Sequence, residues 1–249
     1  MPTVAEKRAA FRALHQQGFF IIPNAWDGGS AVRLAKLGFK AIASTSAGAA
    51  WAAGRQDGEL SRDEALAHLR QLVAATDLPV NADFENGFDD APEGVARNVA
   101  LAVETGVAGL SIEDWSGGRM YDVAHAADRI AAARQAIDAA DPAVMLIGRN
   151  ENFRVQDMSA ADSIARAVAY SEAGADCLFV PFILDPGAVA ELVAAVAPKP
   201  VNVVIHDYDA SIAEFAGIGV RRCSVGGSLA GIVWRAFDDA AARLKACEP

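Results

Sequence analysis

Two carboxylates stand two residues apart in the stretch Pro79-Val-Asn-Ala-Asp-Phe-Glu-Asn-Gly-Phe88. A short apolar run leads to Asp83, and Glu85 follows before Asn86-Gly87 turns the chain. In extended backbone, side chains at i and i+2 share a face, so both acids address one spot. Two acids converging at a strand end suit a hard cation such as Mg²⁺, which takes oxygen ligands and keeps several waters. The plainer alternative is an acid-biased loop facing solvent.

Other polar residues fall at the ends of strand-like runs in the same way. Ser44-Thr45-Ser46 follow one such run, Glu113 and Asp114 another, Arg149 with Glu151 a third, and His206 a fourth. The planar fork of Arg149 suits a carboxylate, although pairing with Glu151 or Asp83 would also explain it. His206 reads equally as a site residue or as rim packing, whereas His15, His68 and His125 lie on or beside helices and read as surface. A divalent ion on Asp83, Glu85 and Glu113 would polarise a carbonyl and stabilise an enolate. Backbone N–H groups near Ser44–Ser46 would hold an oxyanion, and Arg149 a carboxylate. That machinery fits chemistry beside the carbonyl of a 2-oxo acid.

The elements that must position these residues follow a regular rhythm. Apolar runs at 19–22, 39–43, 79–83, 108–112, 143–148, 176–180, 200–205 and 220–225 alternate with helical patterns. The helices carry their own punctuation: Thr3 with Glu6 and Ser61 with Glu64 form capping boxes, and Asp185-Pro186 opens a helix. Residues 47–60, with three glycines, read as a loop. Near-continuous apolar strands are those of a parallel sheet buried on both faces. Eight strand–helix units in 249 residues, without a linker, predict a single (β/α)₈ barrel domain over 1–249. In such a barrel catalytic groups sit at the C-terminal strand ends, where these polar residues fall. A doubly wound open sheet is the runner-up, but Asp27-Gly28-Gly29-Ser30 lacks its phosphate-binding glycine pattern.

Composition narrows the function classes. With 22 basic and 32 acidic residues the net charge is −10, a poor match to nucleic acid or to an anionic membrane. Cys177, Cys223 and Cys247 are odd in number and lack metal-type spacing, which points to a reducing compartment. The first residues lack an apolar core with a cleavage site, and no apolar stretch spans a bilayer, so a cytoplasmic location is expected.

In order and spacing, Ser44-Thr45-Ser46, Asp57-Gly58-Glu59, Asn81 to Phe88, Ile112-Glu113-Asp114, Arg149 with Glu151, and Ser224-Val225-Gly226-Gly227 resemble the isocitrate lyase/phosphoenolpyruvate mutase superfamily. The resemblance covers nearly the whole chain. It implies a (β/α)₈ barrel whose last helix is swapped between subunits of a homodimer or homotetramer. It also implies Mg²⁺ and an enolate intermediate, with a C–C or P–C bond made or broken beside a 2-oxo acid. Carried over by position, Asp83 ligates the metal directly, and Glu85 and Glu113 hold it mainly through water. Asp57 is an acid near the site, Ser46 contacts the oxo-acid carboxylate, and Arg149 binds the substrate's other anionic end.

The departures bear on substrate. The lyases of the superfamily carry a Lys/Arg-rich Cys-Gly-His loop after the fourth strand, but Trp115–Asp122 holds no Cys, His or Lys. The mutases place a Lys and an Asn there, and neither is present. Glu85 stands where the mutases have Asp. His206 is placed like the extra histidine of oxaloacetate-decarboxylating members. The expectation is a Mg²⁺-dependent lyase acting on a small, oxaloacetate-like 2-oxo acid. P–C bond chemistry on phosphonopyruvate is the alternative within the superfamily, and a non-catalytic 2-oxo acid binding barrel is the alternative outside it.

Overall fold

The computed structural model describes residues 2–152, 159–183, 185–205 and 212–248. Its elements in chain order are α1 (Val4–Gln16), β1 (Phe20–Ile22), β2 (Asn24–Ala25), α2 (Gly28–Lys36), β3 (Ile42–Ser44), α3 (Ser46–Ala52) and α4 (Arg62–Ala75). There follow β4 (Val80–Asp83), α5 (Pro92–Glu104), β5 (Gly109–Glu113), α6 (Val123–Ala140), β6 (Met145–Arg149) and α7 (Ala160–Glu172). The chain continues through β7 (Cys177–Phe179), α8 (Pro186–Val196), β8 (Val201–Val204), α9 (Ile212–Ile218), β9 (Arg222–Ser224) and α10 (Ser228–Lys245).

All strand pairs are parallel, in the order β1-β9-β8-β7-β6-β5-β4-β3-β2. Pro23 divides the first strand of the ring. β1 pairs with β9 and β2 with β3, and the Ala43 N–H donates to Pro23 O across the break (2.9 Å). The sheet therefore closes on itself as a (β/α)₈ barrel, as expected from the eight apolar runs.

Alternation along each strand sorts the apolar residues into two clusters. Val80, Ala82, Leu110, Ile112, Leu146, Leu178 and Val203 face the helices, within the larger cluster. Ile22, Ala43, Met145, Ile147 and Cys177 face the lumen, and Phe11 of α1 joins them from below. α1 is fastened across the N-terminal end of the barrel. Lys7 Nζ donates to Thr76 O (2.6 Å), Arg8 to the Val103 and Val107 carbonyls, and Arg12 to Ala143 O (2.8 Å). His15, expected at the surface, is buried there between the Phe11 and Phe20 rings.

Residues 47–60 are not all loop: α3 occupies Ser46–Ala52, capped by Thr45 Oγ1, which accepts from Gly48 N (3.3 Å). Gly48 is required for packing, since a Cβ there would lie 2.7 Å from Thr45 Cγ2 and 2.8 Å from Trp26 Cβ. At the other end of the chain α10 leaves Ile232, Val233, Phe237 and Leu244 exposed. No described helix is long and apolar enough to cross a membrane.

Candidate active site

The C-terminal ends of β3, β4, β5 and β6 bring Ser46, Asp83, Glu113 and Arg149 to one mouth. Lateral register places Glu113 beside Arg149 and Asp83 beside Ser111. Arg149 is the centre of the cluster. Its Nη1 lies 3.0 Å from Asp83 Oδ1 and 3.2 Å from Glu113 Oε2, and its Nε donates to Glu151 Oε1. Nη2 makes no hydrogen bond among the described residues. Burial opposes the charge of Arg149, and the carboxylates of Glu113, Glu151 and Asp83 more than reverse it, holding its pKa well above the usual value.

Ser46 ties two acids together. Its N–H and hydroxyl reach Asp83 Oδ2 (3.1 and 3.2 Å), and the hydroxyl also reaches Asp57 Oδ1 (2.8 Å). Ser44 and Thr45 line the same cavity but work on the backbone: Ser44 Oγ accepts from Asp83 N (2.7 Å), and Thr45 caps α3.

Glu85 reaches the mouth from a loop rather than from β4. Its φ of 47° is left-handed, a conformation that costs a non-glycine residue on the order of 1 kcal/mol. Two contacts hold it. The Glu113 N–H donates to Glu85 O (2.9 Å), and Arg129 donates to the carbonyls of Glu113, Asn86 and Asp89 while stacking 4.1 Å from the Tyr121 ring. The Glu85 carboxylate is half-buried and makes no hydrogen bond or ion pair among the described residues. Burial first, then the charges of Asp83 and Asp57, push its pKa up to about 7, against the pull of Arg149.

Asp114 does not join the rim. One residue after inward Glu113, it faces outward and is buried. Its Oδ2 accepts from Tyr170 OH (2.5 Å) and Arg166 Nη1 (3.3 Å), and its Oδ1 accepts from Glu151 N (2.8 Å). It thereby positions Glu151, which clamps Arg149. His206 lies outside the described residues.

Among the described residues, Asp83, Glu113 and Glu151 contact the Arg149 guanidinium, Glu85 lies close enough to feel its charge, and Asp57 is joined to Asp83 through Ser46. Among the described residues no group of three or more His, Cys, Asp or Glu side chains is gathered as a metal cage. The donor chemistry nevertheless fits a hard cation: the donors are carboxylates, and the Glu85 carboxyl, with no hydrogen bond or ion pair among the described residues, is pushed up to about 7 by burial and by the charges of Asp83 and Asp57. Two cavities meet at this point. One of about 370 Å³ lies under Gly58, Glu85, Glu113 and Trp115; the other, of about 160 Å³, descends into the barrel.

The sequence matches the family model for phosphoenolpyruvate phosphomutase over residues 11–245. It is 33% identical over 196 residues to 2-methylisocitrate lyase of Escherichia coli, covering 74% of this chain and 62% of that protein. A crystal structure from Burkholderia cenocepacia, provisionally described as a lyase/mutase, is 45% identical with a TM-score of 0.93, covering 97% of this chain and 89% of that one. A second structure from the same organism, provisionally described as a phosphonomutase, is 37% identical with a TM-score of 0.88, covering 99% of this chain and 100% of that one.

Proposed function

The chain belongs to the phosphoenolpyruvate phosphomutase family, within the isocitrate lyase/phosphoenolpyruvate mutase superfamily, and on that premise we propose that it is a Mg²⁺-dependent lyase. It would cleave a C–C bond beside the carbonyl of a small, oxaloacetate-like 2-oxo acid, through an enolate. The observation that carries this reading is the convergence of Asp83, Glu113 and Glu151 on Arg149 at one barrel mouth.

Asp83, Glu85 and Glu113 are the residues that would hold Mg²⁺. When bound, the ion supplies Lewis-acid polarisation of a carbonyl. Arg149 offers Nη2 to a substrate carboxylate while its other nitrogens stay fixed on protein acids, so the fork arrives pre-oriented. Ser46 keeps Asp83 and Asp57 at a set spacing. Glu151, seated by Asp114, keeps the Arg149 plane from rotating. The test is turnover of a panel of 2-oxo acids with Mg²⁺ and with a chelator. Metal-independent turnover, or full activity in Asp83→Ala, overturns the mechanism.

P–C bond chemistry is the second reading, favoured by the likeness to the structure described as a phosphonomutase. The lack of Lys and Asn in Trp115–Asp122 counts against it. Phosphorus NMR of phosphonopyruvate incubated with the enzyme separates the two. The exposed apolar face of α10 further supports a homodimer or homotetramer in which that helix packs on a neighbouring copy. Light scattering that returns a monomer mass removes this part.

A further inference from the structure

The lumen beneath the mouth holds a second guanidinium. Arg222 opens β9 and turns into the barrel, where only 2% of it is exposed. All its hydrogen-bond partners among the described residues are neutral. Nε donates to Asn202 Oδ1 (2.9 Å), and Nη1 lies 3.2 Å from His15 Nε2 and 3.5 Å from Asn81 Oδ1. Its guanidinium carbon sits 6.0 Å from the centre of the Phe11 ring. His15 Nδ1 donates to Phe11 O (2.8 Å), which leaves Nε2 to accept from Arg222. Burial, then the Arg222 charge, pushes this imidazole down to about 3, so it is neutral. Cys177 is no counter-ion either, because burial pushes its thiol up.

A charge taken out of water is costly unless an opposite charge meets it, and an apolar residue would fill a purely structural position at lower cost. Arg222 is also not walled in. It forms part of the floor of the cavity of about 160 Å³ that rises past Asn202 and Ser224 to Asp83 and Arg149. That volume far exceeds the roughly 10–15 Å³ one water needs. Two donors are left for it: Nη2 makes no hydrogen bond among the described residues, and the Ser224 hydroxyl accepts from Asn202 Nδ2 (3.1 Å) while its own proton is uncommitted. Arg149, by contrast, is already matched by three carboxylates.

We infer that Arg222 and Ser224 form an anion subsite at the floor of the lumen, and that it receives the far carboxylate of an extended 2-oxo diacid whose oxo end lies at the mouth. Only the identity of the ligand rests on the proposed lyase reading; the demand for an anion rests on Arg222 itself. A free monoanion such as chloride offers the same chemistry, so the experiment needs two arms.

In the first arm, calorimetry with Mg²⁺ compares pyruvate, oxaloacetate and 2-oxoglutarate on wild type and on Arg222→Met. Wild type should favour a diacid over pyruvate on the order of 10–100-fold, and the variant should bind both alike. In the second arm, chloride is titrated against thermal midpoint in the absence of organic acid. Stabilisation of wild type but not of Arg222→Met, with the diacid advantage intact in both, keeps the subsite and assigns it to a free anion. An intact advantage together with indifference to chloride overturns the subsite. If no 2-oxo acid binds wild type, the lyase reading fails, and the chloride arm alone decides the subsite. Should Arg222→Met not fold, bromide soaked into wild-type crystals must give an anomalous peak beside Nη2, and its absence overturns the inference.

Discussion

Two arginines line one cavity under opposite electrostatic conditions. Among the described residues, Arg149 at the mouth meets acids that converge from separate strands and loops, whereas Arg222 at the floor meets amides, a neutral imidazole and a benzene ring. The same side chain therefore does different work. At the mouth it is bound by carboxylates and helps to fix their positions. At the floor it is itself the field, and it draws an anion. What an arginine signifies is set by the residues its neighbouring strands turn inward, not by its identity.

This contrast can be broken at several points. The largest effect is expected for Asp83→Ala, which removes an acceptor of both Ser46 and Arg149. The kcat/KM for a 2-oxo acid should fall on the order of 10³-fold, measured by pyruvate release. Next is stability. Arg149→Met removes the cation that Asp83, Glu113 and Glu151 share and should cost about 3–4 kcal/mol in urea unfolding at neutral pH with chelator. The same experiment on Arg222→Met should move stability by no more than about 1 kcal/mol, because relief of a buried charge offsets the hydrogen bonds lost to Asn202 and His15. Equal losses in the two variants would erase the distinction.

Between these lies the pH dependence of Glu85. Its folded pKa of about 7 is above the ordinary value of 4.5. Its contribution is therefore fully present below about pH 4.5 and is lost as pH rises through 7. Chelated wild type should lose up to about 3 kcal/mol of relative stability across that window, and Glu85→Gln should lack this component. Parallel pH profiles for the two proteins would contradict it.

The barrel is legible in the sequence because both faces of each strand are buried, and apolar runs with short links have few other solutions. Asp83, Glu113 and Arg149 are legible because barrel chemistry collects at strand ends. Other residues depend on parity and on distant packing. Glu113 and Asp114 look alike on paper, yet consecutive strand residues face opposite sides, and only Glu113 turns inward. Arg221 and Arg222 pose the same ambiguity, and only Arg222 enters the lumen. Applying alternation to both pairs would have sorted them once the inward register of one strand was known. His15 and Arg129 had no such signal. Each lies on a helix of ordinary composition, and its burial comes from what that helix covers: the barrel base for one, the Glu85 loop for the other. Arg129 is the residue missed that most directly shapes the site.

The helix fastened across the base covers one end of the lumen. Phe11 stoppers the end opposite the acids, so the space is a cul-de-sac rather than a corridor. From the described opening at the mouth, the way to its deep end runs past Asp83 and Arg149. On the proposed reading arrivals would be ordered by depth: the innermost guest would enter first and depart last, and a cation seated at the threshold would hold it inside.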